Sequence, residues 1–295
     1  MIIKTIVQSS RLPFLILTPV CVLLGASIVA YKGQSVDSFL LALIIIGALS
    51  AHVSVNTFNE YLDFKSGLDL ETERTDFSGG SGALPNNPSA LNSVYLTSVV
   101  SLLVALIIGL YFVSLHGLQI LPIGLLGVVL IMTYTSWINK HPWLCLIAPG
   151  LGFGVLMVLG TQFVLVGEYY ALSLWISIIP FLLINNLLLL NQYPDIKADM
   201  NAGRRHFPIA YGVQASNQVY GLFVLAAITL IIAYVWLDYL PVLSLIALIP
   251  MPLALLSLYG AHKHTQAIGH FQQYLGMNVA AAILTPLLLA TSFLF

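Results

Sequence analysis

A chain of 295 residues that is 59% hydrophobic and 7% charged, with a mean hydropathy of +0.97, is excluded from ordinary soluble domains, where about 25% of residues carry charge. Its net charge of −1 argues against nucleic acid as a partner and gives no reason to expect strong steering to a charged membrane surface. Two cysteines, Cys21 and Cys145, both inside apolar runs, leave no room for a disulfide framework or a metal–thiolate centre.

The opening MIIKTIVQSSRLPF has no small-residue cleavage site after a short apolar core, so no cleaved signal peptide is read. Apolar runs of about 20 residues, the length that crosses hydrocarbon as a helix, then predict nine spans: 12–31, 38–59, 91–114, 117–137, 144–166, 172–192, 217–236, 240–259 and 275–295. Very short links join the third to the fourth and the seventh to the eighth, which predicts antiparallel neighbours. The fold class is therefore an all-α polytopic membrane bundle, and residues 1–295 form one membrane domain.

Charge is concentrated in two windows. Of 21 charged residues, eight lie between Asn56 and Asp76 and five between Asn191 and Arg205. With the N-terminus in the cytoplasm, nine basic residues fall on the inside and only Lys32 outside. This places the protein in the cell (inner) membrane with both charged windows cytoplasmic and the C-terminus outside. Asn59 and Asp63 recur as Asn191 and Asp195, 132 residues later. Four spans separate the two, so the chain reads as parallel repeat-like halves, about 12–137 and 144–259, plus a ninth helix at 275–295.

On a helix Asn59 and Asp63 are i and i+4, as are Asn191, Asp195 and Asp199, so each set lines one face. Pro194 introduces a kink in the second set. Gly67 ends the first helix and leaves Asp69 in the loop, able to fold back toward Asp63. Carboxylates with an amide oxygen are hard ligands suited to Mg²⁺, which takes one or two carboxylates and completes its shell with substrate phosphates. Arg74, Lys140, Arg204 and Arg205 are the cations on the same side suited to phosphate oxygens. A lone cluster of this kind would be a solvated connector. Its repetition on one side of the membrane argues for a site at Asp63 and Asp195, while Glu71, Glu73 and Asp76 fit a solvated loop as well. The glycine-serine run 79–82 is either a phosphate cradle or a mobile cover.

These windows resemble the two aspartate-rich motifs of the UbiA superfamily of intramembrane prenyltransferases. The first reads Asn59-Glu60-x-x-Asp63 with Asp69 after five intervening residues; the second reads Asp195-x-x-x-Asp199, preceded by Asn191. The DFKSG run from Asp63, the run from Asp195 to Arg205 and the stretch from Phe153-Gly154 to Leu159-Gly160-Thr161 resemble the 1,4-dihydroxy-2-naphthoate prenyltransferase branch, MenA. Glu60 departs from the usual aspartate, and Ala148-Pro149-Gly150 departs from that branch.

The resemblance implies a bundle around a central cavity that binds a polyprenyl diphosphate through two Mg²⁺ ions and transfers the prenyl group to an aromatic quinone precursor. Asn59, Asp63 and Asp69 would hold one ion and Asn191, Asp195 and Asp199 the other, with Asp63 and Asp195 essential to catalysis. Arg74, Lys140, Arg204 and Arg205 would bind diphosphate. His52, Tyr61, Tyr134 and Tyr193 are candidates for the wall around the acceptor or the allylic cation. The alternatives are transfer to 4-hydroxybenzoate, a porphyrin or a glycerol phosphate lipid and, from another class, secondary transport. A transporter would carry ionisable groups near the membrane midplane rather than at one face.

Overall fold

The computed structural model describes residues 1–295 and is entirely helical. After a short helix, Ile2–Ser9, the long elements are α1 (Leu17–Tyr31), α2 (Ser38–Ser66), α3 (Leu91–His116), α4 (Leu121–Thr133), α5 (Pro142–Val166), α6 (Ala171–Asn191), α7 (Phe207–Trp236), α8 (Met251–His264) and α9 (Gln272–Ser292). Eight helical segments are long and apolar enough to cross a membrane. The difference from the nine expected spans lies at α3 and α4, which fall in one helical run, Pro88–Thr133, broken at Gly117 (φ 75°, ψ −164°). With 13 residues, α4 extends about 20 Å at 1.5 Å per residue, short of the ~30 Å of hydrocarbon.

Two helix lengths set the height of the site. Asp37 caps α2, its carboxylate accepting from the N–H groups of Phe39 (2.8 Å) and Leu40 (2.9 Å), and Gly67 in the left-handed region (φ 84°) stops it. The 29 residues between make a rod of about 43 Å, so its last turns, from Asn59 to Asp63, emerge beyond a ~30 Å core. The 21 residues of α6 extend about 31 Å, and Asn191 therefore ends it at the same border. Pro194 supplies no N–H there, and a turn replaces the next helical turn before the short helix Ile196–Asn201.

Packing is uneven across the bundle. The main core is built by α1, α6, α7, α8 and α9. α7 and α8 pack as the short link predicted. α3 and α4 do not: α3 lies along α2, α4 touches α2 and the middle of α5, and a cavity opens between them. In α5, residues Gly150–Leu156 wind as a π-helix just after Pro149. The Gly150 N–H donates to Asn185 Oδ1 on α6 (2.6 Å). A Cβ on Gly154 would meet the Phe181 backbone at 2.5 Å, so glycine alone allows α5 to lie this close to α6.

Candidate active site

The ends of α2 and α6, the loop after α2 and the short helix Ile196–Asn201 converge on a polar chamber of about 190 Å³. All six expected metal ligands line it: Asn59, Asp63, Asp69, Asn191, Asp195 and Asp199. The first set keeps its helical spacing, with Asn59 and Asp63 on the continuous helix α2. The second does not form one helical face. Asn191 closes α6, Asp195 precedes the short helix and Asp199 lies within it, because Pro194 interrupts the backbone ladder.

Two arginines cross-link the chamber. Arg204 donates from Nη2 to Asp63 and from Nη1 to Asp199 (2.8 Å), so one guanidinium bridges the two motifs. Arg11, held in the left-handed region (φ 50°), donates to Asn59 Oδ1 (2.9 Å) and to Glu60 Oε1 from Nε (2.9 Å) and Nη2 (2.7 Å). An arginine in that backbone region is a strained residue kept for position. Nothing in its own sequence neighbourhood marks Arg11; only the fold brings it 48 residues forward to Asn59.

Glu60 is fully buried, and both its oxygens are occupied by Arg11 and by the N–H (2.9 Å) and hydroxyl (2.5 Å) of Ser81. With both oxygens taken, it ties Arg11 and Ser81 to α2. The glycine-serine run spans the chamber, since the Gly79 N–H donates to Asp195 Oδ2 (2.9 Å). Gly80 (φ 72°) lies so close to Asp69 that a Cβ would meet Oδ1 at 2.7 Å. The run is therefore pinned to both motifs.

Three of the six expected ligands carry a buried oxygen with no hydrogen-bond partner: Asp69 Oδ2, Asn191 Oδ1 and Asp195 Oδ1. Burial first, then the neighbouring Glu60 and Asp63 carboxylates, pushes Asp69 up to about 7. Burial and Asp199 push Asp195 up to about 7, against the Gly79 N–H. Orphaned oxygens on hard ligands are what a divalent cation satisfies. No three acidic, histidine or cysteine side chains close around a single point. Mg²⁺ held by one or two carboxylates and substrate phosphates needs no such cage. The residues fit the ion.

The other expected residues divide. Arg204, His52 and Tyr134 line the chamber. Arg74 is exposed, and its Nη2 donates to the Asp69 carbonyl (2.9 Å). Lys140 and Arg205 are exposed and outside the lining. Tyr61 turns away to meet Tyr95 (ring centroids 4.8 Å apart) and Lys65, and Tyr193 is fully buried in the main core, donating to Asn217 Oδ1 (2.8 Å). Neither belongs to the wall. The i, i+4 logic could not separate these faces because the interhelical contacts that orient them come from elsewhere in the chain. His52 is buried, with Nδ1 2.9 Å from the Thr18 hydroxyl and its ring against Phe153.

A second chamber of about 490 Å³ lies between α2, α3, α4 and α5, its wall mostly aliphatic. Arg11, His52, Asn59, Tyr134 and Phe153 line both chambers and form the neck between them.

Known proteins share this fold. The UbiA prenyltransferase family model matches residues 18–289. The 1,4-dihydroxy-2-naphthoate octaprenyltransferase of Bacillus subtilis (strain 168) is 28% identical over 218 residues, covering 73% of this chain and 66%, just under two thirds, of that protein. A solved UbiA homolog from Aeropyrum pernix K1 has a TM-score of 0.71 at 14% identity, over 96% of this chain and 97% of that one. Another, from Archaeoglobus fulgidus and bound to DMAPP and Mg²⁺, has a TM-score of 0.61 at 16% identity, over 94% and 98%. This chain is an integral membrane protein that belongs to the UbiA prenyltransferase family.

Proposed function

We propose that this protein transfers a polyprenyl group from an allylic diphosphate to 1,4-dihydroxy-2-naphthoate or a related aromatic quinone precursor, a step of menaquinone-type quinone biosynthesis. The observation that carries the reading is the joined pair of chambers, a carboxylate-lined one of about 190 Å³ meeting an apolar one of about 490 Å³ at a shared neck. A prenyl diphosphate has the same two-part chemistry, a charged head on a hydrocarbon chain. The acceptor assignment rests on the Bacillus relative and on the long spacer between Asp63 and Asp69.

Asn59, Asp63 and Asp69 would hold one Mg²⁺, and Asn191, Asp195 and Asp199 the other. Mg²⁺ supplies charge neutralisation for the departing diphosphate. Arg11 and Arg204 place guanidinium groups at the same chamber, and the N–H groups not taken by the carboxylates and Asn59 are available to phosphate oxygens. The aliphatic second chamber takes the prenyl chain and excludes water from the allylic carbon. The Tyr134 and Phe153 rings at the neck would flank the allylic carbon, which gains positive charge as its bond to the diphosphate breaks; the acceptor ring attacks that carbon and then gives up its ring proton to restore aromaticity. The chain acts as a single membrane domain of two repeat-like halves in the inner membrane, with the N-terminus and both motifs cytoplasmic.

Purified protein incubated with Mg²⁺, a radiolabelled polyprenyl diphosphate and separate acceptors tests the reading. Prenylated 1,4-dihydroxy-2-naphthoate supports it. A product only with 4-hydroxybenzoate, a porphyrin or a glycerol phosphate lipid moves the acceptor; proteoliposome uptake without product overturns prenyl transfer.

A further inference from the structure

Five buried side-chain atoms on the wall of the polar chamber lack a hydrogen-bond partner. Three belong to the expected metal ligands. The other two, Asn139 Oδ1 and His206 Nδ1, do not, and both residues are more than nine-tenths buried, at 6% and 2% exposure. They come from separate loops held side by side. Asn139 lies in the turn Ile138–Lys140 after α4, its N–H donating to the Tyr134 carbonyl (3.0 Å). Its own carbonyl accepts from the N–H of Arg205 (3.0 Å), the residue before His206. The His206 ring is fixed at its other nitrogen, with Nε2 2.9 Å from Asp199 Oδ2.

A buried polar atom left unpaired is costly, so each of these groups calls for a ligand. The chemistry narrows the choice. A phosphate oxygen only accepts, so even one bound by Asn139 Nδ2 would leave Oδ1 unpaired. Imidazole nitrogen is a poor ligand for Mg²⁺, and the nearby Asp199 carboxylate is held at the other ring nitrogen. A hydroxyl both donates and accepts, so it suits the amide oxygen and the ring nitrogen in either tautomer. Tyr134, whose backbone holds Asn139, also lines the neck.

Resting on the prenyl-transfer reading, we propose that Asn139 and His206 form the polar end of the acceptor subsite, hydrogen-bonding a ring hydroxyl of an aromatic acceptor that lies against Tyr134. They are specificity-determining residues: they select a hydroxylated ring over the same ring without hydroxyls.

The test is binding to the full chain in lipid nanodiscs, read by ligand fluorescence, without Mg²⁺ or prenyl diphosphate. The probes are 1,4-dihydroxy-2-naphthoate and 2-naphthoate, which share ring and carboxylate. The wild type is expected to prefer the dihydroxy compound by about tenfold or more, the worth of one buried hydrogen bond. Asn139→Leu and His206→Phe each remove most of that preference. Asn139→Asp, which keeps an acceptor oxygen, retains it, since its added charge acts on both probes alike. In turnover, Asn139→Leu raises the acceptor KM and leaves the prenyl diphosphate KM unchanged. Retained binding of geranyl diphosphate with Mg²⁺ shows that a variant is folded; if Asn139→Leu fails that check, His206→Phe and the wild-type preference decide. A wild type without preference, or an Asn139→Leu protein with undiminished preference, overturns the subsite. If no acceptor is prenylated by the wild type, prenyl transfer fails, and the binding preference still reports on the subsite.

Discussion

The two motif windows carry the same Asn-x-x-x-Asp pattern on different supports. In the first, α2 runs unbroken through Asn59 and Asp63 to Ser66. In the second, α6 stops at Asn191 and the chain turns at Pro194 before Asp195. Their hydrogen bonding differs as well. Asn59 and Asp63 are engaged by Arg11 and Arg204, whereas Asn191 and Asp195 each keep an orphaned oxygen. The repeated Asn-x-x-x-Asp thus yields two arms, one pair on a rigid helix engaged by arginine and one pair on a jointed backbone with open oxygens. Coordination geometry comes from the backbone that carries the ligands, not from their spacing alone.

Removing either arm tests whether both are needed. Asp63→Ala and Asp195→Ala are each expected to cut turnover by about 10³-fold or more, measured as radiolabelled product, with helical content unchanged. Full activity in either variant would remove that arm from the mechanism.

Arg204 sits between the arms and keeps two largely buried carboxylates apart in charge. Arg204→Ala should destabilise the metal-free protein by about 3 kcal/mol, the cost of stranding a buried charge, and Mg²⁺ should restore part of it. Thermal unfolding with and without Mg²⁺ reads this; an unchanged midpoint would mean the bridge contributes nothing.

Glu60 offers a finer cut, because it ties the glycine-serine run to the first arm while Gly79 ties it to the second. Glu60→Ala is expected to raise the prenyl diphosphate KM by about tenfold and to speed protease nicking between Thr72 and Gly82. A direct metal role would instead show as a changed Mg²⁺ requirement with the loop still protected.

The smallest effect concerns protons. Asp69 and Asp195, raised to about 7, ionise near 3.9 when unfolded. The unfolded chain therefore releases their protons first as pH rises, and the metal-free protein should lose stability from about pH 4 to pH 7 and then level off. Saturating Mg²⁺ should flatten this slope; a midpoint that rises over the window would contradict it.

Much was legible in the chain itself. Composition and run lengths determined an all-helical membrane protein, because hydrocarbon leaves backbone polar groups no partner outside a helix or a closed barrel, and apolar runs of about 20 residues suit only the helix. The charge windows and their repeat determined which carboxylates meet, since helix length places Asn59 and Asn191 at one border of the membrane. Only the tertiary structure decided the rest. It carried Arg11 to the first motif, filled Glu60 with Ser81, sent Tyr61 and Tyr193 away from the chamber and parted α3 from α4. These outcomes depend on contacts between residues far apart in sequence, and helical periodicity specifies which face a side chain shares but not what that face meets.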